Sequence, residues 1–245
     1  MAPPRVFLIR HGETDWSKRE LHTGVTDVLL TERGEQQARE TSHACVGEGK
    51  LIDPKRIAHI YASPRRRALQ TVKLLDLGVN DRLPSNVVLS FTSDARLEHR
   101  RTHAFFSINE ELREWDYGDY EGMTVQDVWQ ERQERGLDKD GRRWNIFVDG
   151  CEVGESAEQV TQRVDSFLTQ VRDTIKAKQA GGANGEASDI VCVAHGHILS
   201  AIAVRWTGRP LQDGVRLLID TGGIAVLSYE HHALDEPAIV IGPKP

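Results

Sequence analysis

Val6-Phe7-Leu8-Ile9-Arg10-His11-Gly12 and Asp189-Ile190-Val191-Cys192-Val193-Ala194-His195-Gly196 are the two stretches whose reading decides the fold. Each is an apolar run that ends in histidine and glycine. Apolarity that is continuous rather than alternating marks a strand buried on both faces, the habit of parallel sheets covered by helices. Outward from these runs, residues 31–44 read as a helix with Thr31 as N-cap. Residues 56–62 read as a further strand, and Ser63-Pro64 opens a helix with proline at the favoured first position. Residues 123–135 look helical, as do residues 156–178, where Val160, Val164, Phe167, Val171 and Ile175 recur at spacings of three and four. A helix follows over about 197–206 and a last strand over 224–229. Residues 89–113 carry no clear period, and 179–188 (QAGGANGEAS) have the composition of a flexible surface loop. Strands alternating with helices predict an α/β fold, a three-layer α/β/α sandwich around a mostly parallel sheet, in one domain over residues 1–245.

With 31 Lys and Arg against 37 Asp and Glu, the formal charge is −6. That argues against broad nucleic-acid or membrane-surface binding while leaving room for a local basic pocket. The apolar stretch ending at Ile9 is too short for a signal-peptide core, and no later run could span a bilayer, so a cytoplasmic protein is expected. Cys45, Cys151 and Cys192 are odd in number and widely spaced, which reads as reduced thiols. A homo-oligomer is compatible with this composition.

In open parallel sheets ligands bind at the carboxyl ends of the strands, so His11 and His195 are expected at one sheet edge. A third strand ends at Ala62-Ser63-Pro64, and Arg65, Arg66 and Arg67 follow it. A lone histidine at a strand end is usually structural, and an arginine triplet is usually a solvated helix face. Two histidines and at least two arginines converging in an acidic protein make an anion site instead. Planar guanidinium forks match phosphate geometry.

Arg10-His11-Gly12-Glu13-Thr14 resembles the signature of the histidine phosphatase superfamily, which includes the cofactor-dependent phosphoglycerate mutases. Further features of that family follow in order. They are Thr23-Gly24; Ser63-Pro64-Arg65-Arg66-Arg67-Ala68-Leu69-Gln70-Thr71 with Arg67 as the matching arginine; Leu112-Arg113-Glu114 through Gly118 to Glu121-Gly122; Gly154-Glu155-Ser156; and Ala194-His195-Gly196. The resemblance implies a phosphoglycerate mutase-like fold and a phosphatase that needs neither cofactor nor metal. It implies that His11 attacks phosphorus and forms a phosphohistidine. Arg10, Arg67 and His195 would surround the equatorial oxygens. Glu114 would protonate the leaving alkoxide and later take a proton from water. Ser17, Thr23 and Gly24 match positions that contact the substrate, a small phosphorylated molecule.

Rival readings explain fewer residues. No cysteine is followed by five residues and an arginine, so thiol-phosphatase chemistry is absent. Asp138-Lys139-Asp140 does not follow a buried strand, and there is no P-loop. His195 and His197, with His231-His232, could ligate zinc only if three or four ligands converged. Mutases of the superfamily follow the glutamate with Arg-His-Tyr-Gly, whereas this chain has Glu114-Trp115-Asp116-Tyr117-Gly118, which favours phosphatase over mutase. A non-catalytic phospholigand-binding scaffold would have lost the nucleophile or an arginine. Within the superfamily, Arg113 to Met123, Asp149-Gly150-Cys151-Glu152, Gly222-Gly223-Ile224 and Ser228-Tyr229 to His231-His232 resemble the fungal sedoheptulose-1,7-bisphosphatases. By that resemblance Tyr117 and His231 line a sugar site. Two departures stand out. The stretch from Trp206 to Leu217 is short, and Ser200 stands where that group has an arginine able to hold a second phosphate, so bisphosphate and monophosphate preference both remain open.

Overall fold

The apolar runs lie side by side in the middle of a six-stranded sheet. The structure, a computed structural model, describes residues 3–91, 102–138, 141–180 and 188–242. Strands β1 (Val6–Arg10), β2 (Ile57–Ala62), β3 (Phe105–Ile108), β4 (Asp189–Ala194), β5 (Ile224–Tyr229) and β6 (Pro237–Val240) stand in the order β3-β2-β4-β1-β5-β6. Strands β3, β2, β4 and β1 pair in parallel, and β5 and β6 extend the sheet antiparallel. The sheet is therefore mixed, with its parallel part at the strand ends that carry the histidines.

The helices are α1 (Asp15–Lys18), α2 (Glu32–Cys45), α3 (Arg66–Leu75), α4 (Val125–Glu134), α5 (Ile146–Asp149), α6 (Ala157–Ala180) and α7 (Gly196–Trp206). Strand side chains alternate between faces, so Phe7, Ile9, Val191 and Val193 pack with Ala68 and Val72 of α3. Val6, Leu8, Ile190 and Cys192 pack with Val164 and Phe167 of α6 and Ile202 of α7. Three layers result because the central strands are apolar on both faces.

Several boundaries differ from expectation for local reasons. The second strand starts at Ile57, because Pro54–Arg56 form a 3-10 turn whose Lys55 N–H is capped by Asp53. Pro64 does not open α3. Arg65 stays extended (φ −70°, ψ 135°), and the Arg66 N–H is held by Asp27 from another loop at 2.8 Å. Thr124 caps α4 through a reciprocal pair with Asp127, which delays that helix to Val125. The expected loop at 179–188 lies mostly outside the described residues, as do Lys139 and Asp140.

Candidate active site

Strand β1 delivers His11 and strand β4 delivers His195. The His11 N–H donates to the Ala194 carbonyl at 3.0 Å, and the two imidazole centroids lie 5.1 Å apart. After His11 the chain turns tightly over the start of α2. A Cβ on Gly12 would collide with the Gly34 carbonyl, and one on Gly34 would collide with that of Glu13. Only two glycines allow that approach. Thr14 then caps α1, with Ser17 returning a side-chain bond to the Thr14 N–H at 2.8 Å.

His11 Nδ1 lies 2.7 Å from the Gly12 carbonyl. A carbonyl only accepts, so Nδ1 carries the proton and Nε2 offers its lone pair. Burial first, then the Arg67 and Arg10 guanidinium groups, hold the His11 pKa well below the usual imidazole value. The ring is thus a neutral nucleophile. One nitrogen of the Arg10 guanidinium donates to the Ile219 carbonyl at 2.9 Å. Its buried Nε–H has no protein partner among the described residues. A buried charged donor without an acceptor is costly unless a ligand supplies one.

Glu114 is buried, and its carboxylate accepts from three backbone N–H groups, those of Trp115 (2.9 Å), His197 (3.0 Å) and Ile198 (2.9 Å). Burial nevertheless dominates and raises its pKa above the ordinary carboxylate value, so a proton is retained more readily here than in water.

Arg10, His11, Ser17, Thr23, Glu114 and Tyr117 line one cavity of about 520 Å³. Arg67 and His195 sit sealed behind it instead of on its surface. Arg67 donates to His195 Nδ1 (3.2 Å) and to the carbonyls of Thr26 (3.0 Å) and Thr23 (2.9 Å). Burial brings its pKa down to about 10, so it stays charged at neutral pH. Because His195 Nδ1 accepts, its Nε2–H donates to Ser63 Oγ at 2.6 Å. Gly24 faces Trp115 and Tyr117 rather than the cavity, and its N–H donates to Glu121 at 2.9 Å. His231 does not join the lining either. It is exposed and its Nδ1 pairs with Glu236 at 2.7 Å, at the turn before β6. The zinc reading fails on the same geometry, since both ring nitrogens of His195 are engaged by Arg67 and Ser63.

Sequence reasoning passed over His22 and Arg216 and weighed His197 only as a zinc ligand, yet all three line the cavity. His22 adjoins the Thr23-Gly24 motif and His197 the Ala194-His195-Gly196 motif, and that adjacency was the available signal. Arg216 had none. Ser200 Oγ accepts from the Leu217 N–H at 3.1 Å, tying down the segment that carries Arg216 to the rim, with its guanidinium 5.3 Å from the Phe147 ring centroid.

A mixed α/β sheet that gathers a neutral imidazole, two guanidinium groups and a protonatable carboxyl near the carboxyl ends of its parallel strands has the make-up of a phosphoryl-transfer protein. The chain belongs to the histidine phosphatase superfamily (branch 1), whose family profile matches residues 6–88 and 92–238. It is 36% identical to sedoheptulose 1,7-bisphosphatase of Saccharomyces cerevisiae, over 96% of this chain and 91% of that one. It is 33% identical to an acid phosphatase of Mycobacterium tuberculosis, over 93% of this chain and 87% of that one. A solved Mycobacterium tuberculosis open reading frame superposes with a TM-score of 0.70 at 30% identity, covering 97% and 96% of the two chains. The protein is a phosphoric monoester hydrolase of this superfamily. Among the described residues, no helix is long and apolar enough to cross a membrane.

Proposed function

We propose that this chain hydrolyses a sugar phosphate through a phosphohistidine at His11, with Glu114 as proton donor and acceptor, in a single domain. The observation that carries the reading is one cavity holding a neutral imidazole of fixed tautomer and a buried carboxyl held above its usual pKa. His11 Nε2 attacks phosphorus in line, the N–P bond forms, and the ester P–O bond breaks as Glu114 gives its proton to the leaving alkoxide. Water then attacks the phosphohistidine, Glu114 takes a proton from it, and His11 leaves. The Arg10 Nε–H meets a phosphoryl oxygen. Arg67 supplies charge from behind, and His195 orients it. By comparison with oxyanion donors, loss of one such partner costs about 3 kcal/mol of transition-state stabilisation. The arginines neutralise charge, so the reaction needs no metal ion.

For the substrate, Arg216 at the rim supports a second anionic group, as in sedoheptulose 1,7-bisphosphate, the compound in the name of the yeast relative. The uncharged Ser200 favours a second reading, a sugar monophosphatase of broad range. A panel of sugar mono- and bisphosphates assayed with chelator separates them, since equal or better turnover of monophosphates removes the bisphosphatase reading. For the chemistry, His11→Ala is expected to lose turnover by about 10⁴-fold while its melting curve stays close to wild type. Rapid quench into alkaline denaturant, where the N–P bond survives, should trap a phosphohistidine in the wild type alone. An active, folded His11→Ala protein overturns the proposal.

A further inference from the structure

Two cavity-lining histidines take no part in the phosphoryl chemistry, and their hydrogen bonds fix each in one tautomer. His22 Nδ1 lies 2.7 Å from the Met123 carbonyl. Because a carbonyl cannot donate, Nδ1 holds the proton and Nε2 is an acceptor. His197 Nδ1 lies 2.7 Å from the Tyr117 hydroxyl. Among the described residues that hydroxyl has no other partner, so a proton on His197 Nδ1 would orphan the buried phenolic O–H. Tyr117 therefore donates, and His197 carries its proton on Nε2. Burial holds both rings neutral: it lowers the His22 pKa and takes that of His197 down to about 3. The rings lie nearly parallel, at 9°, with centroids 6.0 Å apart, and among the described residues neither Nε2 has a protein partner. Tyr117 and Trp144 pack edge-on against His22, at 4.7 Å and 5.4 Å, and lock its orientation.

We propose that His22 and His197 form a matched acceptor and donor pair that reads hydroxyl groups of the substrate's carbon chain. A hydroxyl both donates and accepts, so a polyol chain placed against these rings can give a hydrogen bond to His22 Nε2 and receive one from His197 Nε2–H. A plain alkyl phosphate would leave both nitrogens unpaired in a desolvated site, and sites built to bond a hydroxyl discriminate strongly against analogues that lack it. Neutral rings suit this task, since a charged pair would attract any anion without regard to its hydroxyls. The inference rests on the sugar-phosphate reading and names the residues that enforce it.

Two measurements test it. Imidazole ¹⁵N spectra of the wild type at pH 7 are expected to show His22 neutral with its proton on Nδ1 and His197 neutral with its proton on Nε2. The opposite tautomer at either ring, or a charged ring, overturns the proposal without any need for a variant to fold. The second readout is the ratio of kcat/KM for fructose 6-phosphate to that for n-hexyl phosphate. In His22→Phe, which keeps an aromatic ring against Tyr117 and Trp144, that ratio is expected to fall about 10-fold, with partial recovery in His22→Asn. An unchanged ratio overturns the proposal even if both rates drop, because a purely structural lesion affects both substrates alike. If the tautomers and the ratio come out as stated but no phosphohistidine can be trapped, the mechanism at His11 fails and the hydroxyl pair stands.

Discussion

At Glu114, burial and hydrogen bonding pull in opposite directions. Three backbone N–H groups favour the anion, and desolvation favours the acid more strongly. At His11, burial and both arginines favour the neutral ring, against the single backbone bond to Gly12. Catalysis needs His11 unprotonated and Glu114 protonated. Activity is therefore lost as pH falls through the lowered His11 pKa, below 6.5, and as pH rises through the raised Glu114 pKa, above 4.5. A bell-shaped profile of kcat/KM is expected, with its alkaline limb belonging to Glu114. Glu114→Gln should remove that limb and lower kcat for a sugar phosphate by about 10²–10⁴-fold. It should lower kcat far less for p-nitrophenyl phosphate, whose leaving group departs without a proton. Equal losses on the two substrates would show that Glu114 acts in some other way than as the acid.

Helix α6 holds that carboxyl in place through Glu155, two residues before its first turn. Glu155 accepts from Arg163 (2.9 and 2.7 Å), Arg113 (2.8 Å) and the Asp116 N–H (3.0 Å). Arg163 in turn donates to the carbonyls of Glu111 (2.7 Å) and Arg113 (2.9 Å), so the segment on either side of Glu114 is clamped to the helix. Glu155→Ala would strand the Arg163 charge, whose side chain is only 5% exposed. Loss of about 3–5 kcal/mol in urea unfolding is expected, with Glu155→Gln less severe. Under conditions where Glu155→Ala is folded, its kcat should fall more for an alkyl phosphate than for p-nitrophenyl phosphate. Stability within 1 kcal/mol of wild type, a threshold about the size of one ordinary hydrogen bond, would refute the clamp. Elements with a long apolar run or a strong 3.6-residue period, such as β1, β4 and α6, were legible in the sequence. Strands β3 and β6 were not. They are four-residue edge strands, β3 with an exposed Phe105 and β6 opening on proline, so neither shows the burial pattern by which a strand is recognised.

Convergence of distant segments is a property of the whole molecule, and it divides the legible part of the site from the rest. His11, Arg10 and Glu114 sit inside motifs whose spacing survives in one dimension. Arg216 is carried to the cavity by a segment that Ser200 ties down from 17 positions away, and the Tyr117–His197 bond spans 80 positions. The same convergence gathers His11, His22, His195 and His197 in a mostly desolvated cluster, each with its pKa lowered by burial. In the unfolded chain these rings titrate near 6.5. Folded-state values below that mean the unfolded state binds more protons, so their contribution is present above pH 6.5 and is lost as pH falls through the folded values. Four unmatched protons set a limiting slope of about 5 kcal/mol per pH unit, against a typical total stability of about 5–15 kcal/mol. The raised pKa of Glu114 works in the opposite sense, being stabilising below 4.5 and lost as pH rises, but it is one group against four. The protein should therefore lose urea stability steeply between pH 6.5 and 5, and calorimetry in buffers of different ionisation heat should show uptake of more than one proton on unfolding at pH 5.5. Inorganic phosphate, which binds only the folded pocket, should shift the transition to lower pH. An unfolding free energy that stays level from pH 7 to pH 5.5 would mean that these rings charge freely in the folded state, and the neutral nucleophile at His11 would go with them.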